Sequence, residues 1–131
     1  MIGLDANILV RYLAQDDPIQ AAQATELIER HLTAAKPGFV SVVAIAEMVW
    51  VLRRSYRFDR ERIAVAIEFM LSTDSLVLER EREVYLAADA LKEGRGEFAD
   101  ALISALSIAA GCSVVLTFDR GALRLPGFEL P

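Results

Sequence analysis

Short apolar runs alternate with longer stripes of helical period along this chain, and the alternation divides it into strands and helices. Ile2 to Leu4 predicts a short buried strand, and the polar turn Asp5-Ala6-Asn7 leads into a helix over about Ile8 to Ala14. Asp17-Pro18 has the form of an N-cap followed by proline at the first helical position. Ala24, Leu27, Ile28 and Leu32 line one face of that second helix, which ends near Lys36-Pro37-Gly38. Phe39 to Ser41 predicts a second strand, after which Ser41 or Val42 opens a long, mostly apolar helix to about Arg54.

Asp59 suits the N-cap of the next helix, whose Ile63, Ile67, Met70 and Leu71 form a stripe. Leu76 to Leu78 predicts a third strand. Glu81 to Glu93 is amphipathic, with Val84, Ala88 and Leu91 inward, and is closed by Gly94 and Gly96. A helix over Phe98 to Ala110, a break at Gly111 and a strand over Ser113 to Thr117 follow, and Pro126-Gly127-Phe128 predicts a short edge strand.

Strands separated by helices predict the α/β class: a parallel sheet with right-handed crossovers, covered by helices on both faces. One domain over residues 1–131 accounts for the length. The uncharged stretch Ala101 to Phe118 is long enough to raise the membrane question. Gly111 splits it into a helical half and the strand-like Val114-Val115-Leu116-Thr117, so no membrane segment is expected. The N-terminus has neither a basic start nor a long apolar region, and no secretory signal is expected. Cys112 is the only cysteine, which excludes an internal disulfide and cysteine-built zinc sites and points to a cytoplasmic setting.

Four apolar segments each carry a lone acid: Asp5, Glu47, Asp100 and Asp119. A carboxylate in a core-forming segment loses hydration and must find a partner or neutralise itself. No Lys or Arg falls inside the first three segments, and only Arg120 flanks the fourth. A shared hard cation, Mg2+ or Mn2+, is the simplest partner that keeps all four ionised. Ligands of open α/β sheets bind beyond the carboxyl ends of the strands, where Asp5 and Asp119 fall. Glu47 and Asp100 lie in early helical turns entered near the same end, so all four are expected to converge. Taken singly, each acid also reads as a turn or cap residue, and coincidence becomes less plausible for the set.

Asn7 and Thr117 stand two residues from Asp5 and Asp119 and are suited to orient carboxylates, and Ser104 lies one helical turn beyond Asp100. Glu97 is a candidate fifth acid. The net charge of -5 argues against a polyanionic partner until the four acids are assigned to a metal, after which acids and bases nearly balance. Between Arg53 and Arg62, Arg53, Arg54, Arg57, Arg60 and Arg62 outnumber Asp59 and Glu61, with Tyr56 and Phe58 available for base stacking. Arg11 and Arg120 lie nearer the expected site, and His31 is assigned no chemistry. A content of 54% hydrophobic residues suits a self-association face, with the helix of Met48 and Trp50 a candidate partner surface.

Asp5-Ala6-Asn7 after the first strand, Glu47 in the third helix, Phe98-Ala99-Asp100-Ala101-Leu102-Ile103, and Thr117-Phe118-Asp119 together resemble the PIN-domain ribonucleases, specifically the VapC-like toxins of prokaryotic toxin-antitoxin pairs. The resemblance spans essentially the whole chain. It implies a three-layer α/β/α domain with a central parallel sheet and a Mg2+- or Mn2+-dependent endoribonuclease using one or two ions, leaving 5'-phosphate and 3'-hydroxyl ends. It also implies a homodimer inhibited by a VapB-like antitoxin. The family often has Asp before the Phe of the third motif, where this chain has Glu97.

Two rivals differ in class. A metal-dependent phosphatase with an Asp nucleophile would want a second acid where Asn7 stands and a late lysine, and Lys92 is the last. The other is a catalytically inactive metal-binding interaction module on the same fold.

Overall fold

Three short parallel strands, β1 (Ile2–Gly3), β2 (Gly38–Val40) and β3 (Leu76–Leu78), form the central sheet in the order β1-β2-β3. The computed structural model describes every residue from Met1 to Pro131. Ile2 pairs with Gly38 and Gly3 with Phe39, while Gly38, Phe39 and Val40 pair with Leu76, Val77 and Leu78. The crossovers are helical: α1 (Ala6–Ala14) and α2 (Pro18–Glu26) between β1 and β2, then α3 (Val42–Ser55) and α4 (Arg60–Leu71) between β2 and β3. After β3 come α5 (Glu81–Lys92) and α6 (Phe98–Ala109). The result is the α/β/α arrangement expected of helix-separated parallel strands.

The polar signals that open helices act as anticipated. Asp17 accepts from the amides of Ile19 and Gln20, and Asp59 accepts from that of Arg62 at 2.8 Å. Ser41 belongs to α3 rather than to the second strand, because its hydroxyl accepts from the Ala44 amide at 3.1 Å. The second helix also stops earlier than its apolar face suggests. It widens over Leu27–His31 into a π-turn, closed by the Leu32 amide on the Leu27 carbonyl at 2.9 Å.

A cluster of 27 buried residues holds the layers together. On α3, Ile45, Met48, Val49 and Leu52 face inward at helical spacing, and α4 contributes Ile63, Ile67 and Met70. Small residues let α5 and α6 pack closely, with Ala87, Ala88 and Ala101 buried beside Leu91, Phe98 and Leu102. Burying a side chain such as Phe98 contributes about 1.5–3 kcal/mol before entropy is counted. Gly38 is required by close approach: a Cβ there would stand 2.8 Å from the Leu4 and Leu32 methyls.

The C-terminal strand departs from expectation. β4 (Val115–Leu116) does not join the central sheet but pairs in parallel with β5 (Phe128–Glu129), across a 3-10 turn at Arg120–Arg124. The Thr117 amide donates to Glu129, and the Val115 amide donates to Gly127. Backbone hydrogen bonding that would have extended the β1 edge is therefore spent on β5, and Ile2 and Gly3 stay exposed. No helix of the molecule is long and apolar enough to cross a membrane.

Candidate active site

Asp100 lies in the first turn of α6, and Asp119 follows β4 at the mouth of the 3-10 turn. Two local bonds fix the backbone around Asp119. Its Oδ1 accepts from the Gly121 amide at 2.8 Å, and its own amide donates to the Thr117 hydroxyl at 3.0 Å. One carboxylate oxygen of Asp119 therefore serves the turn and the other is free of it. Glu97 occupies the N-cap position of α6 without capping it, and instead accepts from Arg53 Nη2 at 3.4 Å.

Glu97, Asp100 and Asp119 line one cavity of about 240 Å³, together with Arg60, Arg124 and three glycines. No hydrophobic residue lines it. Partial burial pushes the Asp100 carboxyl above its ordinary range, and the negative charges of Asp119 and then Glu97 push it further. Three acids gathered beside two guanidinium groups, one of them with a raised carboxyl, make this cavity a candidate functional site. Neither Arg60 nor Arg124 forms an ion pair within 4.0 Å elsewhere, so both guanidinium groups are available to an anion entering the cavity.

Asp5 and Glu47 do not line this cavity, and neither is among the charges acting on Asp100. The four acids expected to converge do not form a ready-made cage: no group of three or more His, Cys, Asp or Glu side chains is arranged to hold a metal ion. Asp5 follows β1 of the central sheet, whereas Asp119 follows β4, which is not hydrogen-bonded into that sheet. Dehydration of the lone acids also fails as a general premise, since Asp5, Glu47 and Asp119 are exposed and only Asp100 is partly covered. Glu47 sits on a second apolar flank of α3, between exposed Val43 and Trp50, which faces solvent rather than core. Asp5 is nevertheless free for other work. It holds the N-cap position of α1 without a side-chain cap bond, and its only polar partner is Asn7, whose Nδ2 donates to Oδ2 at 3.4 Å.

Several supporting assignments change. Ser104 is buried, and its hydroxyl donates to the Pro126 carbonyl, tying α6 to the C-terminal segment rather than orienting Asp100. Arg11 is engaged with Tyr56, Asp16 and Gln20, and Tyr56 itself donates to Asp16. Its tyrosine bond, followed by smaller attraction from Asp16, holds the Arg11 guanidinium above its ordinary range, and the Tyr56 bond holds Asp16 below the usual carboxylate range. Phe58 is a core residue with Arg62 stacked 3.6 Å above its ring, which removes it as a base-stacking face, and the Tyr56 hydroxyl is held between Arg11 and Asp16. Met48 is fully buried and belongs to no partner surface. Arg120 is exposed and unpaired, His31 lies beside Glu26 on the surface, and Arg54 stacks on Trp50.

Sequence reasoning missed Arg124 for the site and counted Arg60 only within the basic stretch between Arg53 and Arg62. Gly94 makes room for Arg60. Its φ is +71°, and Arg60 Nη1 lies 2.8 Å from where a Cβ would stand, so glycine leaves the guanidinium its place. Arg124 has no comparable signal, because only the 3-10 turn brings it back to Asp119.

As hard oxygen donors, the three carboxylates suit Mg2+ or Mn2+ by chemistry, although they do not form a ready-made cage. No individual curated protein matches the chain. The PIN domain family matches residues 2–127, nearly its whole length, and PIN domains are generally metal-dependent nucleases. With an α/β/α fold and a polar cavity where acids meet guanidinium groups, the chain belongs to the PIN-domain family.

Proposed function

We infer that this chain is a Mg2+- or Mn2+-dependent endoribonuclease, acting in the cytoplasm as the toxin of a VapBC-type pair. The observation that carries the reading is the polar cavity that gathers Asp100, Asp119 and Glu97, with the Asp100 carboxyl raised by burial and then by its two acidic neighbours, while Arg60 and Arg124 face it unpaired. Asp100 and Asp119 would hold the cation, with Glu97 beside them. Asp5 and Glu47 are the further acids of the proposed set, and the Asp5 carboxylate has only the long Asn7 bond of 3.4 Å to give up. When bound, the metal supplies a nucleophilic water at neutral pH and offsets charge on the phosphate.

The chain's own residues do the rest. Arg60 and Arg124 grip the non-bridging phosphate oxygens and stabilise charge as it builds during in-line attack. Thr117 holds the backbone that presents Asp119, and Asn7 restrains Asp5. The exposed Arg120 extends the basic margin for the RNA backbone. A homodimer and a VapB-like antitoxin are supported by large exposed apolar side chains, among them Val65 and Phe69 on α4, Ile103 and Ile108 on α6, and Phe118, which is 88% exposed. An amphipathic antitoxin helix that buries such a patch and directs a basic side chain at the acids would inhibit by replacing the cation's charge.

Incubating end-labelled RNA with the full chain tests this. Internal cleavage is expected with Mg2+ or Mn2+, and none with EDTA or with Asp100→Asn. Turnover of a small phosphate ester without RNA cleavage would overturn the reading, as would metal-independent cleavage.

A further inference from the structure

Beside the acidic cavity lies a larger groove of about 490 Å³, between the C-terminal half of α3 and the start of α6. That volume lies within the usual range of small-ligand pockets, roughly 300–1,000 Å³. Its floor is apolar, formed by Ala46, Val49 and Phe98, and its wall is Trp50, which is 59% exposed. Arg53, Arg54 and Arg57 also line it, against Glu97 as the one acid, and Glu97 is already paired with Arg53. The groove therefore joins an aromatic face to an excess of positive charge.

We propose that this groove is a subsite for single-stranded RNA, in which a nucleobase next to the scissile phosphate stacks on Trp50 while Arg54 and Arg57 grip the flanking phosphates. It rests on the nuclease reading of the acidic cavity and names the path its substrate takes. The Arg54 guanidinium already lies 5.2 Å from the Trp50 ring centroid, so this indole face accepts a planar electron-poor group. A base stacks in the same way without regard to its identity. Charge complementarity selects the occupant: three arginines around one exposed tryptophan suit a polyanion with planar bases better than an apolar protein helix. Glu97 is the common wall, lining both the groove and the cavity of Asp100 and Asp119, so neighbouring nucleotides of one strand reach both. The Arg53–Glu97 pair at 3.4 Å stands at that junction.

Trp50 is the only tryptophan, so its emission reports directly on the groove. The full chain carrying Asp100→Asn is titrated with a mixed-sequence single-stranded oligoribonucleotide in Mg2+, following tryptophan emission and the anisotropy of a labelled copy. Emission is expected to change at the RNA concentration where anisotropy rises. Trp50→Ala and Arg54→Ala should each weaken binding about tenfold, whereas Trp50→Phe retains most of it. Removing Arg57 should flatten the slope of log affinity against log salt by about 0.7.

RNA binding with unmoved Trp50 emission, or with Trp50→Ala at wild-type affinity, overturns the proposal. Emission that follows protein concentration and ignores RNA assigns the groove to a protein interface instead and likewise overturns it. The two readings separate cleanly. Wild-type RNA cleavage without a Trp50 response leaves the nuclease standing and removes the subsite, whereas a Trp50 response without wild-type cleavage does the reverse.

Discussion

On one side of Glu97 lies a cavity with no apolar lining residue, and on the other a groove floored by Val49 and Phe98 with Trp50 as its wall. The first sets three carboxylates close together against the guanidinium groups of Arg60 and Arg124. The second spreads cationic groups around an aromatic surface. Charge at close range suits chemistry on a phosphate, and stacking with diffuse positive charge suits grip on a strand. On the proposed reading, the contrast divides reaction from affinity between the two regions.

The most severe test removes charge from the cavity alone. Asp119→Asn is expected to lower RNA cleavage by about 10³-fold, as losses of key electrostatic groups in enzymes do. RNA affinity measured by anisotropy should move less than about threefold. A variant that loses affinity as much as rate would show that the two regions do not divide the work.

A smaller effect is expected from the arginine side of the cavity. Arg60→Ala should slow cleavage by about 10- to 100-fold. Gly94→Ala should slow cleavage by less than Arg60→Ala, because its Cβ would stand 2.8 Å from Arg60 Nη1 and displace only the end of that side chain. It should also cost about 1 kcal/mol of stability in urea unfolding, from the positive φ. Normal activity in Arg60→Ala would mean that Arg60 takes no part in catalysis.

The smallest effect concerns stability without metal. Because the folded state raises the Asp100 carboxyl, the stability linked to this group is complete below the ordinary carboxylate range and lost as pH rises through the raised value. At pH 7 with EDTA, Asp100→Asn should therefore melt roughly 1–3 °C higher than wild type. Near pH 3 the gain should vanish. A variant less stable than wild type at pH 7 would assign Asp100 a structural role.

The helices were readable because their stripes commit a face to the core: Ile63, Ile67 and Met70 on α4 are all buried, as are Val84, Ala88 and Leu91 on α5. The caps at Asp17 and Asp59 were readable from chemistry confined to a few residues. Pairing between distant strands was not. Nothing in Val115-Leu116 indicates that its partner is Phe128-Glu129 rather than β1, and the position of Asp119 depends on that choice. The apolar neighbours of Glu47 and Asp5 also misled, because an apolar flank does not say which side faces water. On α3, Ile45 and Met48 are buried whereas Val43 and Trp50 are exposed. Asp100 was legible as an acid near a helix start, but its neighbours Arg60 and Arg124 arrive through tertiary packing alone.

A titration of the metal-free full chain with Mn2+, followed by the loss of the free-ion paramagnetic resonance signal, tests the cation site most directly. Wild type is predicted to take up Mn2+, and Asp100→Asn and Asp119→Asn to bind it at least about tenfold more weakly. Equal Mn2+ uptake by wild type and both variants would contradict the assignment of this cavity to a metal.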